Sequence, residues 1–279
     1  MADENDAHAN WNQASRHWAV VGSPLRPCGE DVAAIEGAIG AWAAAVPGRA
    51  PDAIVLGVTP ELVRCRWPTG VRLTAVDNSR PMIDALWPGP GRPDGARVTC
   101  ADWRALPLGA GSTDIVVGDG AYAALALPTD GHVVNHELLR VMRPGGILGI
   151  RVFLRPDAPE TMAGLAAEIA AGRIGSIHAL KWRMAASVQP SLAAGARLGD
   201  IWLAWQQLAP FAAGLAGRQG WTGAETASLA RYRDNATRYH FPTRAEFRAI
   251  MGTAFEEIAC THGTYELADR CPTFVFRRS

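Results

Sequence analysis

Four short apolar, β-branched runs, each closed by a turn or a polar residue, limit most strongly what this chain can fold into. They are Ala53-Ile54-Val55-Leu56, Leu73-Thr74-Ala75-Val76, Thr113 to Val117, and Ile147 to Phe153. Helical stretches fall between them at Pro60 to Arg66, Arg80 to Leu86 and His132 to Met142, and a weaker strand is expected at Ala96 to Cys100. Strands that alternate with helices build βαβ units and a parallel sheet. Short runs that are apolar throughout suit a sheet covered on both faces. The expected class is therefore α/β.

Residues 155–240 break the alternation with Ala-rich helical patterns at 158–172, 176–187, 198–212 and 224–238. Afterwards it resumes, with a capped helix from Thr243 (FPTRAEFRAIM), an apolar-polar run from Phe255 to Thr261, and Thr273-Phe274-Val275-Phe276. The simplest division is a single domain over 1–279. It has a helical N-terminal extension at 1–48, where Asp31 opens an Ala-rich helix, and a helical insertion at 155–240. At 48% apolar and 19% charged residues, the composition is that of a globular protein.

Composition removes several function classes. Twenty-seven basic residues balance 27 acidic ones, which weighs against a nucleic-acid binder needing a basic footprint. Lys181 is the only lysine, and no Gly-rich loop precedes it, so the GxxxxGK[ST] phosphate loop is absent. Any Schiff-base chemistry would have to use that one amine. Five cysteines (28, 65, 100, 260 and 271) form no CxxC pair, and they read as reduced thiols of a cytoplasmic protein. The acidic start MADENDAHAN is no signal peptide. No apolar run reaches the roughly 20 residues that span a bilayer, so no membrane association is expected. The Arg-rich, Lys-poor usage suggests a GC-rich bacterial genome.

Four constellations could carry chemistry. Ile54-Val55-Leu56-Gly57-Val58-Thr59-Pro60-Glu61-Leu62 ends a buried strand at Gly57, where the missing Cβ admits a ligand to the backbone. Thr59 can cap the following helix, and Pro60 suits its first position. The first strand-to-helix turn of a doubly wound sheet is where nucleotide-like ligands bind, although a plain βα turn looks similar. Asp77 ends the next strand 20 residues after Gly57, a spacing suited to ribose hydroxyls, and a capping aspartate is the bland alternative. Asp102 beside Trp103 could bind an exocyclic amine and pack on a purine, or could be a surface cap next to a core tryptophan. Gly118-Asp119-Gly120 delivers an acid to the same sheet edge. All four fall at carboxyl ends of consecutive strands, where open α/β sheets bind ligands.

These segments resemble the class I S-adenosylmethionine-dependent methyltransferases. The likeness rests on IVLGVTPEL, LTAVDNSRPMI, VTCADWRALPL, TDIVVGDGAYAAL, LLRVMRPGGILGIRVF and the C-terminal FPTRAEFRAIM and FEEIACTHGTYELADRCPTFVFRR, and covers 50–154 and 241–279. It implies a Rossmann-like seven-stranded, mostly parallel sheet with the last strand antiparallel, and a role for 155–240 as a substrate lid. Carried over by position, the resemblance implies that Gly57 and its neighbours, with Thr59, pass under the methionine part of the cofactor. Asp77 would bind the ribose, with Asn78 and Met82 near the adenine. Asp102 would hold the adenine amine, Trp103 would add a backbone donor or stacking surface, and Asp119 and Gly120 would face the methionyl end. The usual GxGxG is here Gly57-Val58-Thr59-Pro60-Glu61, and Val55 stands where an acid is common; LGVTPEL is a variant found in bacterial members. The implied activity is methyl transfer from S-adenosylmethionine to an oxygen, nitrogen or carbon of a small molecule. Two rivals are a noncatalytic relative that binds the cofactor or a partner, and a nicotinamide-dependent oxidoreductase, whose GxGxxG is missing.

For catalysis the candidates are Tyr122, just after Asp119, and His240, before Phe241-Pro242; a surface histidine is the alternative for His240. His132 and His136 have metal-ligand spacing but no third ligand, so no metal is expected. Trp11, Trp18 and Arg26 could close over the cofactor, with the arginine available to its carboxylate; the alternative is packing on the sheet edge. Trp202, Leu203 and Trp205 form a helical apolar face, read as core of the insertion rather than a roof over substrate. Residues 151–250 carry 12 basic and seven acidic side chains, which suits an anionic substrate or simply solvated arginines.

Overall fold

In the computed structural model, which describes residues 18–87 and 89–279, the apolar runs become strands buried on both sides. Within β1 (Asp52–Leu56), Ile54 and Leu56 enter one cluster while Ala53 and Val55 enter the opposite one, as the two-residue period of a strand requires. Helix α1 (Gly29–Ala45) covers the second cluster with Ile35, Ile39 and Trp42. Its start shows how an acid opens a helix from inside: Cys28 is the cap residue, and Asp31, three residues on, accepts the Cys28 N–H at 2.9 Å. Trp11 lies outside the described residues.

After β1 come α2 (Pro60–Val63), β2 (Arg72–Asp77), α3 (Arg80–Leu86), β3 (Arg97–Cys100), β4 (Thr113–Asp119), α4 (Thr129–Val141) and β5 (Met142–Arg151). The chain ends with α9 (Arg244–Met251), β8 (Phe255–Thr261) and β9 (Thr273–Arg278). The sheet has seven strands in the order β3-β2-β1-β4-β5-β9-β8. β9 runs antiparallel to both its neighbours, and the other pairings are parallel. This is the Rossmann-like, mostly parallel sheet with one reversed strand that the sequence led us to expect. Strand order reverses direction at β1 and β4, which places a crevice at their carboxyl ends.

Far from that crevice, the RPGG turn has a structural task. Arg143 pairs with the buried Asp114 at 2.7 Å and with Asp52 at 3.1 Å, which ties β5 to the amino ends of β4 and β1.

Between β5 and α9 stands a helical cap with its own core. Leu165 and Ile169 of α5 (Met162–Ala170), Leu180 and Trp182 of α6 (Ile177–Val188), and Ile201 and Leu208 of α7 (Leu198–Gln219) meet in it. α7 runs past the expected end at 212, through Pro210, because Ala212 and Leu215 continue its buried stripe. The expected helix over 224–238 is not formed. Only α8 (Gly223–Ala227) and a 3-10 turn at Ser228–Tyr232 are helical. Asp234 then takes a φ of 55°, and the Asn235 side chain accepts the Thr237 N–H at 2.9 Å, a local bond that competes with a helix. The chain instead enters β7 (Arg238–Tyr239), which pairs antiparallel with β6 (Ala196–Arg197).

Candidate functional site

Because β1 to β4 are parallel, their carboxyl ends share one edge. A cavity of about 840 Å³ runs along that edge and continues beneath the cap. Its floor is the turn after β1. Gly57 adopts a φ of 95°, which an L side chain rarely tolerates, and donates its N–H to the Val76 carbonyl at 2.8 Å. A Cβ placed on Gly57 would stand 3.8 Å from Asp77 Oδ2, so the bare backbone and that carboxylate bound the same space. Asp77 accepts the Ser79 N–H through Oδ1 at 2.7 Å. Burial pushes its carboxyl up to about 6, against the lowering effect of the Ser79 bond.

Thr59, Asn78 and Met82 line this part of the cavity. Thr59 sits at the cap position of α2, but its side chain makes no capping bond, which corrects the expectation; Pro60 does occupy the first helical position. Asp102 and Trp103 also line it. The Trp103 Nε1 donates to the Val76 carbonyl at 2.6 Å, so one carbonyl holds both the Gly57 turn and the indole. Asp102 caps its own turn and pairs with Arg104 at 2.6 Å. Burial opposes that pairing, yet Arg104 holds the carboxyl below the usual range.

At the tip of β4, Asp119 faces the cavity and is bound by the buried Arg151, with Nε 2.6 Å from Oδ1. Burial pushes the Asp119 carboxyl up, and the Arg151 charge offsets this. Gly120 takes a φ of 61°, and a Cβ there would meet the Phe153 ring at 2.6 Å.

Tyr122 is a correction. It is 1% exposed, its hydroxyl donates to Asn135 Oδ1, and its ring packs edge-on to Phe247. The left-handed step at Gly120 turns the chain so that this side chain enters the core beneath the sheet rather than the cavity. His240 is not a surface histidine either. It is 6% exposed, lines the cavity, and its Nδ1 lies 2.8 Å from the Leu192 carbonyl. Burial lowers its pKa, with the Leu192 bond working the other way. Arg26 is committed to Glu61 at 2.5 Å and stacks over Trp18, whereas Trp18 itself lines the cavity. Trp202 and Trp205 pack against the cap core, but Leu203 on the same helix is exposed. His132 and His136 are both exposed, and among the described residues no three His, Cys, Asp or Glu side chains are grouped to hold a metal. All five cysteines are unpaired.

Four cavity-lining side chains carry no sequence signal of their role: His178, Lys181 and Trp182 of α6, and Arg231. An Ala-rich helix with one lysine reads like any other half-buried helix. Lys181 reaches the Ser228 hydroxyl at 2.6 Å and the Glu225 carbonyl at 3.1 Å. Burial lowers its pKa to about 7, with Arg231 adding to the effect and Glu225 opposing it.

Residues 56–150, the span from β1 to β5 that holds these turns, match the family model described as "Methyltransferase domain". Over this span the chain carries a methyltransferase domain of the kind that uses S-adenosylmethionine. A search of curated proteins found no match. Solved structures similar to this chain include a Rhodobacter sphaeroides protein provisionally assigned as a Zn-dependent alcohol dehydrogenase (14% identity, 98% of each chain covered, TM-score 0.60). Two others are the PH0226 protein of Pyrococcus horikoshii OT3 and a Burkholderia thailandensis enzyme. The first shares 12% identity over 94% of this chain and 99% of that one, with a TM-score of 0.52. The second is the 1,6-didemethyltoxoflavin-N1-methyltransferase, crystallised with 1,6-didemethyltoxoflavin and S-adenosylhomocysteine; it shares 12% identity over 99% of this chain and 88% of that one, with a TM-score of 0.51. At these identities the likeness is one of fold. Among the described residues, no helix is long and apolar enough to cross a membrane.

Proposed function

We propose that this chain transfers a methyl group from S-adenosylmethionine to an oxygen, nitrogen or carbon of a small molecule enclosed beneath the cap. The observation that carries the reading is Asp77, a largely buried acid at the end of β2 whose Oδ2 faces the bare backbone of Gly57 across the cavity. Such an acid suits a pair of ribose hydroxyls, which would donate to it and favour its charged form.

The residues present fit the cofactor. Gly57 and Thr59 would lie under its methionine part, Asp77 at the ribose, and Asn78 and Met82 beside the adenine. Asp102 and Trp103 would flank the adenine edge, and Asp119 and Gly120 the methionyl end. When bound, S-adenosylmethionine supplies a sulfonium whose methyl is already electrophilic. The protein's own work is to hold the two molecules in line and exclude water, and the cap helices close the cavity for that purpose.

His240 is the base candidate that faces the cavity. A carbonyl can only accept, so the Nδ1 directed at Leu192 carries the proton and Nε2 is left as the acceptor. Its lowered pKa keeps the ring neutral near pH 7, ready to take a proton from an acceptor hydroxyl. An amine acceptor would need no such group.

Incubating the protein with methyl-labelled S-adenosylmethionine and fractionated metabolite extracts tests the reading. Label should pass to a small molecule with wild type and fail to pass with Asp77→Ala. Absence of transfer despite cofactor binding would point to a noncatalytic binder.

A further inference from the structure

The cap end of the cavity holds a guanidinium that no carboxylate among the described residues neutralises. Arg231 lines it with Nε and Nη1 both buried and without a hydrogen-bond partner among the described residues. Its Nη2 donates to the Tyr232 hydroxyl at 3.3 Å, and the guanidinium lies over the Tyr232 ring. No carboxylate among the described residues comes within ion-pair distance of it. Lys181, 5% exposed, lines the same chamber and spends its hydrogen bonds on a hydroxyl and a carbonyl, not on an acid. Trp182, 1% exposed, presents a buried Nε1 with no partner. The nearby acid is Glu225, and it is occupied: one oxygen accepts from Thr222, and the other lies 3.3 Å from His178 Nε2. Phe153, Ile201, Tyr239 and Phe241 complete the walls.

A buried guanidinium without a counter-ion is costly to keep, and unbonded donors in a cavity are what an incoming anion satisfies. We infer that the cap chamber is an anion subsite, in which Arg231, Lys181 and the Trp182 Nε1 hold a carboxylate or phosphate borne by an aromatic or apolar acceptor. The inference rests on the proposed methyl transfer for calling that molecule the acceptor. It narrows the acceptor to one with an acidic group at one end and the methylated atom towards Asp119 and His240. The aromatic walls select the body, and the cations select the head.

The test is calorimetry on the full chain saturated with S-adenosylhomocysteine, with benzoate, phenyl phosphate and the uncharged benzamide as probes. Benzoate or phenyl phosphate should bind at least about tenfold more tightly than benzamide, since a charged group on a buried cation outweighs a neutral one. Arg231→Gln should abolish that preference, and Lys181→Met should reduce it, while the affinity for S-adenosylhomocysteine stays within about twofold. The comparison of probes on wild type stands whether or not a variant folds. Equal binding of all three probes would overturn the inference. So would an Arg231→Gln protein that loses S-adenosylhomocysteine and keeps its preference for the anions, for the arginine would then serve the cofactor's own carboxylate. If S-adenosylhomocysteine fails to bind wild type, the methyltransferase reading fails, and the same three probes on the free protein still decide the subsite.

Discussion

Arg151 is the register partner of Asp119 across the β4–β5 pairing, and its Nε lies 2.6 Å from Asp119 Oδ1 with both side chains almost fully buried. The same guanidinium donates to the Pro24 carbonyl at 2.9 Å and lies 3.7 Å from Asp31, while Tyr265 donates its hydroxyl to Asp31 at 2.8 Å. One cation thus fixes the acid at the cavity's edge, the segment before α1 and the loop before β9. Arg151→Met leaves Asp119 buried and unpaired, and it should cost about 3–5 kcal/mol of stability. Pairing it with Asp119→Asn should restore part of the loss. Urea unfolding of the two variants checks this, and a double variant no more stable than Arg151→Met would contradict it.

Asp77 should make both stability and cofactor affinity depend on pH, in opposite senses. Its carboxyl is raised from 3.8 to about 6 by burial, so between those values the folded protein holds a proton that the unfolded chain has lost. Stability of the free protein therefore falls as pH rises from about 4 to about 6 and then levels off. Asp77→Asn should stabilise the free protein at pH 7 by about 1–3 kcal/mol. Cofactor hydroxyls donate to the charged form, so affinity should rise through pH 6 and flatten above it. Thermal unfolding and calorimetry across this range read both effects, and an unchanged melting temperature at pH 7 would contradict the first.

Tyr122→Phe should lose the bond to Asn135 and about 1–2 kcal/mol of stability. It should leave the pH profile of methyl transfer where it was, because the hydroxyl is in the core and not at the cavity. A shifted profile would return Tyr122 to the site.

Gly120→Ala adds a methyl where the backbone is left-handed and the Phe153 ring stands 2.6 Å away. Expected are a loss of about 1–2 kcal/mol from the backbone and a displaced Phe153. Binding under the cap should weaken more than cofactor binding, as calorimetry with each ligand would show.

The sheet could be read from the chain because its signal is local. Runs such as Ala53 to Leu56 are apolar on both faces, and only a covered strand uses such a run. The floor of the cavity could be read as well, because Gly57, Asp77, Asp102 and Asp119 each end a strand and a parallel sheet must gather strand ends. The cap could not. Lys181 and Arg231 lie 50 residues apart on elements whose meeting depends on how α6, α7 and the Ser228–Tyr232 turn pack. Tyr122 was misplaced for a related reason: adjacency to Asp119 in sequence does not survive the left-handed step at Gly120. The 224–238 stretch has helical composition, yet the Asn235 side chain offers the backbone a turn instead.

The central claim is that Asp77 and Gly57 frame a site for S-adenosylmethionine. Titrating the protein with S-adenosylhomocysteine in a calorimeter, beside Asp77→Ala and beside NAD, tests it most directly. The account predicts saturable one-to-one binding to wild type, a loss of about 1–3 kcal/mol in Asp77→Ala, and no heat with NAD. Affinity unchanged by Asp77→Ala, or binding of NAD in place of S-adenosylhomocysteine, would contradict it.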